Sequence, residues 1–225
     1  MARSKNKMTL DRVLSRHGLL SRKSAESAIQ SGRVKVNGRV VRDTQLWIDP
    51  KSDTVHFDGE KVRQVRRTYL LLYKPKGVLS THGDRRGRKT LYDCLDPRLP
   101  WVAPVGRLDK DTSGLILLTN DTEFSSYVTS PASKVPKTYM VKANILVDDT
   151  WLEIVLTEGK NREIHRLLVS VGLKVLKLVR TKIGPCTLEG LQVGQWRRLE
   201  KQEIARFYSK DRYNAAPSTP TEESL

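Results

Sequence analysis

The chain has 225 residues, enough for one good-sized domain or for a small domain joined to a larger one, and its 41 Lys and Arg against 25 Asp and Glu give a formal net charge of +16. A surplus of that size favours a polyanionic partner through counterion release, and nucleic acid is the natural one. No long apolar run, signal-peptide core or lipidation motif is present, which disfavours a membrane partner and leads us to expect a soluble, cytoplasmic protein.

Residues 1–7 form a short basic tail, and residues 213–225 are rich in Ala, Pro, Ser, Thr and Glu; both ends are expected to be disordered. Between them, Leu10 to His17 reads as a short helix. Ser21 is placed to cap a second, whose Ala25, Ala28 and Ile29 share a face before Gly32 ends it. The period then changes to two: Val34 and Val36 alternate with Arg33 and Lys35, Asn37-Gly38 makes a hairpin turn, and Val40 starts the return strand. The result is a helix-helix-hairpin unit over residues 8–63. Through Arg67 the chain carries 16 Lys and Arg against 7 Asp and Glu, so this first third is disproportionately basic. Arg12, Arg16, Arg22, Lys23, Arg33 and Lys35 crowd the two helices and the first strand, either as a phosphate-contacting face or as an ordinary solvated one.

Residues 64–67 are a polar connection to a second domain over 68–212. Its first strand is the apolar run Tyr69 to Tyr73, stopped by Lys74-Pro75. Strands are predicted at Leu115 to Leu118, Lys137 to Ile145, Trp151 to Thr157 and Val175 to Val179. Helices are predicted at Glu123 to Ser130, Asn161 to Val171 and Gln202 to Tyr208. The strands come in groups rather than in strict alternation with helices, so an α+β fold with a mixed, largely antiparallel sheet is expected. Cys94 and Cys186 form no Cys-x-x-Cys pair and the four histidines are scattered, which argues against a disulfide framework and a metal site. No heptads or repeats appear, and a monomer is expected.

Several segments carry candidate chemistry. Lys74-Pro75-Lys76-Gly77 reads as a rigid basic loop. Ser80 to Lys89 holds Arg85, Arg86 and Arg88 between glycines and reads as a mobile loop that orders on RNA. In Gly106-Arg107-Leu108-Asp109, one carboxylate follows an arginine and sits beside a run apolar enough to be a buried strand, so desolvation and a nearby cation compete over it. Asp109 is either functional or a turn cap. Tyr139 follows Lys137-Thr138 on an alternating strand, where packing is the plainer reading. Arg162, His165 and Arg166 fall together in Glu158-Gly159-Lys160-Asn161-Arg162-Glu163-Ile164-His165-Arg166-Leu167-Leu168, with Arg162 and Arg166 expected on one helical face bordered by His165.

These words, in this order, resemble the RsuA-like family of ribosomal RNA pseudouridine synthases over roughly residues 8 to 208. The pattern Ser21-Arg22-Lys23-Ser24-Ala25-Glu26 with Gly32-Arg33-Val34-Lys35-Val36-Asn37-Gly38 resembles the S4 RNA-binding domain. The resemblance implies a cofactor-free isomerase that acts on ribosomal RNA or an assembly particle. It implies Asp109 as nucleophile, Tyr139 under the uracil as stacking partner or proton relay, and Arg107 filling the stack that the target base leaves. Lys74 and Lys76 belong to its first motif and would bind the substrate, while Leu178 and Ile183 would line the apolar side of a uracil pocket. The family presents a basic Arg or Lys where this chain has His165, whose pairing would depend on how far Asp109 raises its pKa. Either Arg162 or Arg166 is placed to supply the charge instead. The span between Tyr139 and Trp151 is also shorter than the family pattern. The competing reading is a non-catalytic RNA-binding or ribosome-assembly protein derived from that family.

Overall fold

The computed structural model describes residues 7–63, 66–144, 151–160 and 162–209. The two tails, apart from residue 7 and what precedes 210 at the other end, lie outside the described residues, as do residues 64–65 of the connection, Asn161 and the shortened 145–150 span. Two compact units are present: the described residues to Thr68 with 98–103 and 119–122, and a second built from 69–97, 104–118 and from 123 onward.

The first unit begins with a two-residue strand (β1, Met8–Thr9) that leads into α1 (Leu10–Arg16) and α2 (Arg22–Gln30). Ser21 caps α2, its hydroxyl oxygen accepting the Ser24 N–H at 3.0 Å, as its position predicts. The helix stops at Gly32, whose φ of +77° lets Arg33 N–H reach back to Ala28. Strands β2 (Val34–Val36), β3 (Arg39–Val40), β4 (Trp47–Ile48), β5 (Val55–Phe57) and β6 (Glu60–Lys61) follow. The β2–β3 hairpin turns at Asn37-Gly38 and the β5–β6 hairpin at Asp58-Gly59, both residues of each pair having positive φ. Four strands assemble in the order β3-β2-β5-β6, while β1 pairs with β4. Leu10, Val13 and Leu14 of α1 and Ala25, Ala28 and Ile29 of α2 close over Val34, Ile48 and Val55.

The second unit contains β7 (Tyr69–Lys74), β8 (Ala103–Pro104), β9 (Ser113–Thr119), α3 (Thr122–Thr129), β10 (Lys137–Ala143), β11 (Trp151–Leu156), α4 (Glu163–Ser170), β12 (Val175–Ile183), β13 (Cys186–Thr187), β14 (Trp196–Arg198) and α5 (Lys201–Arg206). Its main sheet runs β11-β10-β12-β9-β7-β14. Pairs β10–β11, β10–β12 and β7–β14 are antiparallel, and β12 runs parallel to β9. The fold is therefore α+β with a mixed, largely antiparallel sheet. One face buries Leu71, Leu115 and Leu117 beneath Phe124 and Val128 of α3, and the Phe124 and Phe207 rings meet edge to face at 5.1 Å. On another part, Ile164 and Leu168 of α4 cover Val141, Ala143 and Leu178.

Two local features place the functional side chains. Along β10–β12 the register steps between Thr138 and Tyr139: Thr138 faces Lys182, but Tyr139 faces Arg180, leaving Thr181 as the extra residue of a bulge. Strict alternation would put 178, 180 and 182 on one side; the bulge instead brings Leu178, Arg180 and Ile183 to the same cavity wall. At the start of β9, Gly114 has φ of +115°, and a Cβ built there would lie 2.3 Å from the Arg180 carbonyl oxygen and 2.5 Å from its nitrogen. No other residue permits both the dihedral and the approach. Gly114→Ala is expected to lower stability by about 3 kcal/mol or more and to abolish activity in any protein that still folds, as read from thermal melts and turnover.

Candidate active site

The loop between β8 and β9 carries Asp109 and is clamped at both of the residue's neighbours. On one side the Ser80 hydroxyl donates to the Leu108 carbonyl at 2.8 Å while its oxygen accepts the Leu108 N–H at 3.2 Å. On the other, the Lys110 carbonyl accepts the Gly77 N–H at 2.8 Å. Beneath them lies Lys74, fully buried, whose ammonium donates to the carbonyls of Thr112 at 2.7 Å, Pro75 at 3.0 Å and Lys110 at 3.4 Å. Burial pushes the Lys74 amine down to about 8, with Asp111 and Asp109 pulling the other way. Lys74 is thus a support of the Asp109 loop and not a substrate-side cation as the sequence suggested. Its amine is taken up by backbone carbonyls, because the strand carries it inward before Pro75 turns the chain.

Asp109 itself is exposed at the loop tip, as is Arg107. The expected desolvation of Asp109 does not occur, since the apolar run begins only at Leu115, beyond the turn. Both line a cavity of about 430 Å³ whose wall also includes Thr112, Lys137, Tyr139, Leu156, Glu158, Lys160, Arg162, His165, Leu178, Arg180 and Ile183. Asp109, Arg107, Tyr139, Arg162, His165, Leu178 and Ile183 are therefore brought together. Lys76 and Arg166, both exposed, do not line it. The reason for the split of Arg162 from Arg166 is that the helix starts at Glu163, with Arg162 as its N-cap at φ +48°, so the shared helical face predicted for the pair does not form.

His165 is displaced from its ordinary pKa downward. Partial burial and the Arg162 charge outweigh the upward pull of Asp109 and Asp111. The upward shift that Asp109 alone would give is overturned, and the imidazole is neutral near pH 7. Because folding disfavours its charged form, the linked stability is present above the ordinary pKa near 6.5 and falls as pH drops below it.

Arg180 and Lys137 are cavity residues to which the sequence reading gave no role. Arg180 is 5 % exposed; its Nε donates to the Leu115 carbonyl at 2.7 Å, and its Nη1 lies 3.5 Å from the Tyr139 hydroxyl oxygen. Lys137 donates to the Val128 carbonyl at 3.2 Å, and burial, then the Arg180 charge, push it down to about 8. The available signal was an arginine inside the apolar strand Val175–Ile183, but which face it takes depends on the bulge.

The remaining basic candidates divide. In the first unit Arg12, Arg16, Arg22, Lys23, Arg33 and Lys35 are all exposed. Arg22 nevertheless pairs with the buried Asp11 at 2.9 Å, and Arg33 forms a forked pair with Asp58 while lying 4.9 Å over the Phe57 ring. The segment 80–89 carries a hydrogen-bond network of its own. Asp84 accepts from the Arg86 and Arg88 backbone N–H groups and from both arms of the Arg88 guanidinium, and Leu79 exchanges backbone bonds with Lys89 and Leu91. Arg88 is committed to that clasp, and Arg85 and Arg86 project from it. Among the described residues no group of His, Cys, Asp and Glu could hold a metal ion, and no helix is long and apolar enough to cross a membrane.

One unit of S4 type and a second, on a mixed sheet, in which a carboxylate and an aromatic line one cation-rich cavity, are together the features of a class of RNA-modifying isomerase. Residues 68–150 match the RNA pseudouridylate synthase family and residues 8–50 the S4 domain. The ribosomal large subunit pseudouridine synthase B of Bacillus subtilis (strain 168) is 34% identical, the match covering 88% of this chain and 94% of that protein. An uncharacterized RNA pseudouridine synthase of Aquifex aeolicus (strain VF5) is 36% identical, with 88% and 93% covered. A crystal structure of a pseudouridylate synthase superposes with a TM-score of 0.62 at 28% identity, covering 89% of this chain and 99% of that one. The chain belongs to the RsuA-like family of RNA pseudouridine synthases.

The electrostatics of the cavity make His165 a reporter of its surroundings. Followed by two-dimensional NMR, its imidazole is expected to titrate below 6.5, to move up in Arg162→Gln and to move further down in Asp109→Asn. The two opposite displacements check the assignment of causes.

Proposed function

We propose that this protein isomerises a uridine of large-subunit ribosomal RNA to pseudouridine without a cofactor. The N1–C1′ bond breaks, the uracil turns, C5 bonds to C1′, and the C5 proton is lost as N1 gains one. Asp109 supplies the nucleophilic carboxylate and Tyr139 the stacking face. Arg107 fills the space the base leaves, and Leu178 and Ile183 keep the detached ring dry. The first unit docks the RNA through its exposed cations, and Arg85 and Arg86 add phosphate contacts. We take the protein to work as a monomer in the cytoplasm.

The observation that carries the reading is the convergence of Asp109 and Tyr139 on one cavity of about 430 Å³, a size suited to a small ligand. The subunit assignment is supported by the name of the Bacillus relative. An RNA-binding protein without catalysis has no use for an exposed carboxylate held between two clamped neighbours among cations, since it repels phosphate. The test is tritium release from large-subunit RNA labelled at uracil C5. The natural protein is expected to release tritium to water and Asp109→Asn to release none, with RNA affinity kept or raised. Absence of release by the natural protein, at saturating RNA, leaves the binding reading in its place.

A further inference from the structure

Arg180 is more than a wall residue. Its Nη2 is buried and has no hydrogen-bond partner among the described residues, whereas Nε and Nη1 are engaged. A buried, permanently charged donor left unpaired costs on the order of 1–3 kcal/mol, and native folds keep such groups where a ligand completes them. The cavity Arg180 lines is where that ligand would lie, and nothing else the structure places there explains the spare donor.

We propose that Arg180 Nη2 donates a hydrogen bond to a carbonyl oxygen of the target uracil and stabilises the negative charge that the ring carries while detached from the ribose. This rests on the isomerase reading above. When the N1–C1′ bond breaks, its electron pair stays with the ring and spreads over N1, O2 and O4; it is returned when C5 bonds to C1′ and the C5 proton leaves. A fixed cation at a carbonyl oxygen is therefore worth most in the detached state and little in the bound substrate.

The geometry suits the role. Tyr139 and Arg180 are directly opposed across the β10–β12 bulge, and the guanidinium carbon is 5.9 Å from the Tyr139 ring centroid. A base bound against that ring lies within reach of the guanidinium. The Nε bond to Leu115 is short and the Nη1 contact to Tyr139 is long, so the guanidinium is anchored at Nε and held more loosely at its outer nitrogens. His165 is neutral near pH 7, and Lys137, already bonded to Val128, is the more weakly charged neighbour. Arg180 is thus a buried cation of the cavity whose charge, unlike that of Lys137, does not change over the working range.

The experiment compares the natural protein, Arg180→Lys and Arg180→Met by tritium release with kcat and KM resolved, alongside RNA affinity and thermal melting. Each is measured on RNA carrying uridine, 2-thiouridine or 4-thiouridine at the target, sulfur being a poor acceptor. Arg180→Met is expected to lose about 10²–10³-fold in kcat with KM and RNA affinity within about threefold, and Arg180→Lys to fall between. One of the two thio substitutions is expected to slow the natural protein and to leave Arg180→Met without further loss, the signature of a contact already removed. A kcat for Arg180→Met within about threefold of the natural value, or thio effects of equal size in both proteins, overturns the proposal. The equal-effect outcome assigns Arg180 to scaffolding alone, which Arg180→Lys separates from misfolding by its melt. An inactive natural protein strikes the isomerase reading, a result distinct from either of these.

Discussion

The close approach of the Gly114 and Arg180 backbones is the constraint on which the site depends. Strand β9 leaves the Asp109 loop at Ser113, and it runs beside β12 only because residue 114 has no side chain to hold the strands apart. Since β12 also pairs with β10, the same contact sets the separation of the carboxylate from Tyr139. Arg180 then reinforces from its side chain what Gly114 permits in the backbone, through the Nε bond to Leu115. Lys74 completes the frame from below by gathering three carbonyls that would otherwise point at one another. The tip residue's own carbonyl accepts the Thr112 N–H at 3.1 Å, and with both its neighbours fixed the backbone there has little freedom left.

Rigidity of this kind recurs in the basic surface. Arg33 and Arg88 are each tied to one carboxylate by two arms of the guanidinium, Arg33 to Asp58 and Arg88 to Asp84. Such exposed pairs add little stability. Their effect is geometric: Asp84 gathers two backbone N–H groups and one side chain into a compact loop, which fixes the directions in which Arg85 and Arg86 leave it. A chain with a net charge of +16 attracts nucleic acid with or without such order; directed cations add position to attraction.

What the sequence made legible follows the range of the interaction. Local signals were read directly: Ser21 as a cap, Gly32 as a stop, Asn37-Gly38 as a turn and the clustering of strands as a mixed sheet all concern residues within a few positions of one another. The order of motifs placed most of the cavity wall as well. What escaped depends on distant pairing. Whether Arg180 faces the cavity is decided by one extra residue at Thr181, visible only when β12 is laid against β10. That Lys74 is buried depends on where the Lys110 and Thr112 carbonyls fall, 36 and 38 residues later. The separation of Arg162 from Arg166 escaped for a related reason: helical periodicity runs back through Arg162, but its left-handed backbone makes it the N-cap of a helix that starts at Glu163, and it lines the cavity without Arg166.

Lys74 and Arg180 share a property that bears on the chemistry. Both are cations withdrawn from water, and the partners the structure gives them are carbonyl oxygens and a phenol, not carboxylates. A buried cation neutralised by a carboxylate at contact distance has little field left to offer. One held by carbonyl dipoles keeps its charge, and at neutral pH Lys74, at about 8, remains mostly protonated. Arg180, with Arg107 and Arg162, therefore makes the cavity wall positive before any substrate enters, and Lys74 adds its charge behind the Asp109 loop. A site so biased does little for a neutral uridine and much for a ring that becomes anionic on detachment, which is the discrimination that lowering a barrier requires. Neutral His165 fits the same scheme: with Arg107, Arg162 and Arg180 already giving the cavity permanent charge, the His165 position has no need to add another.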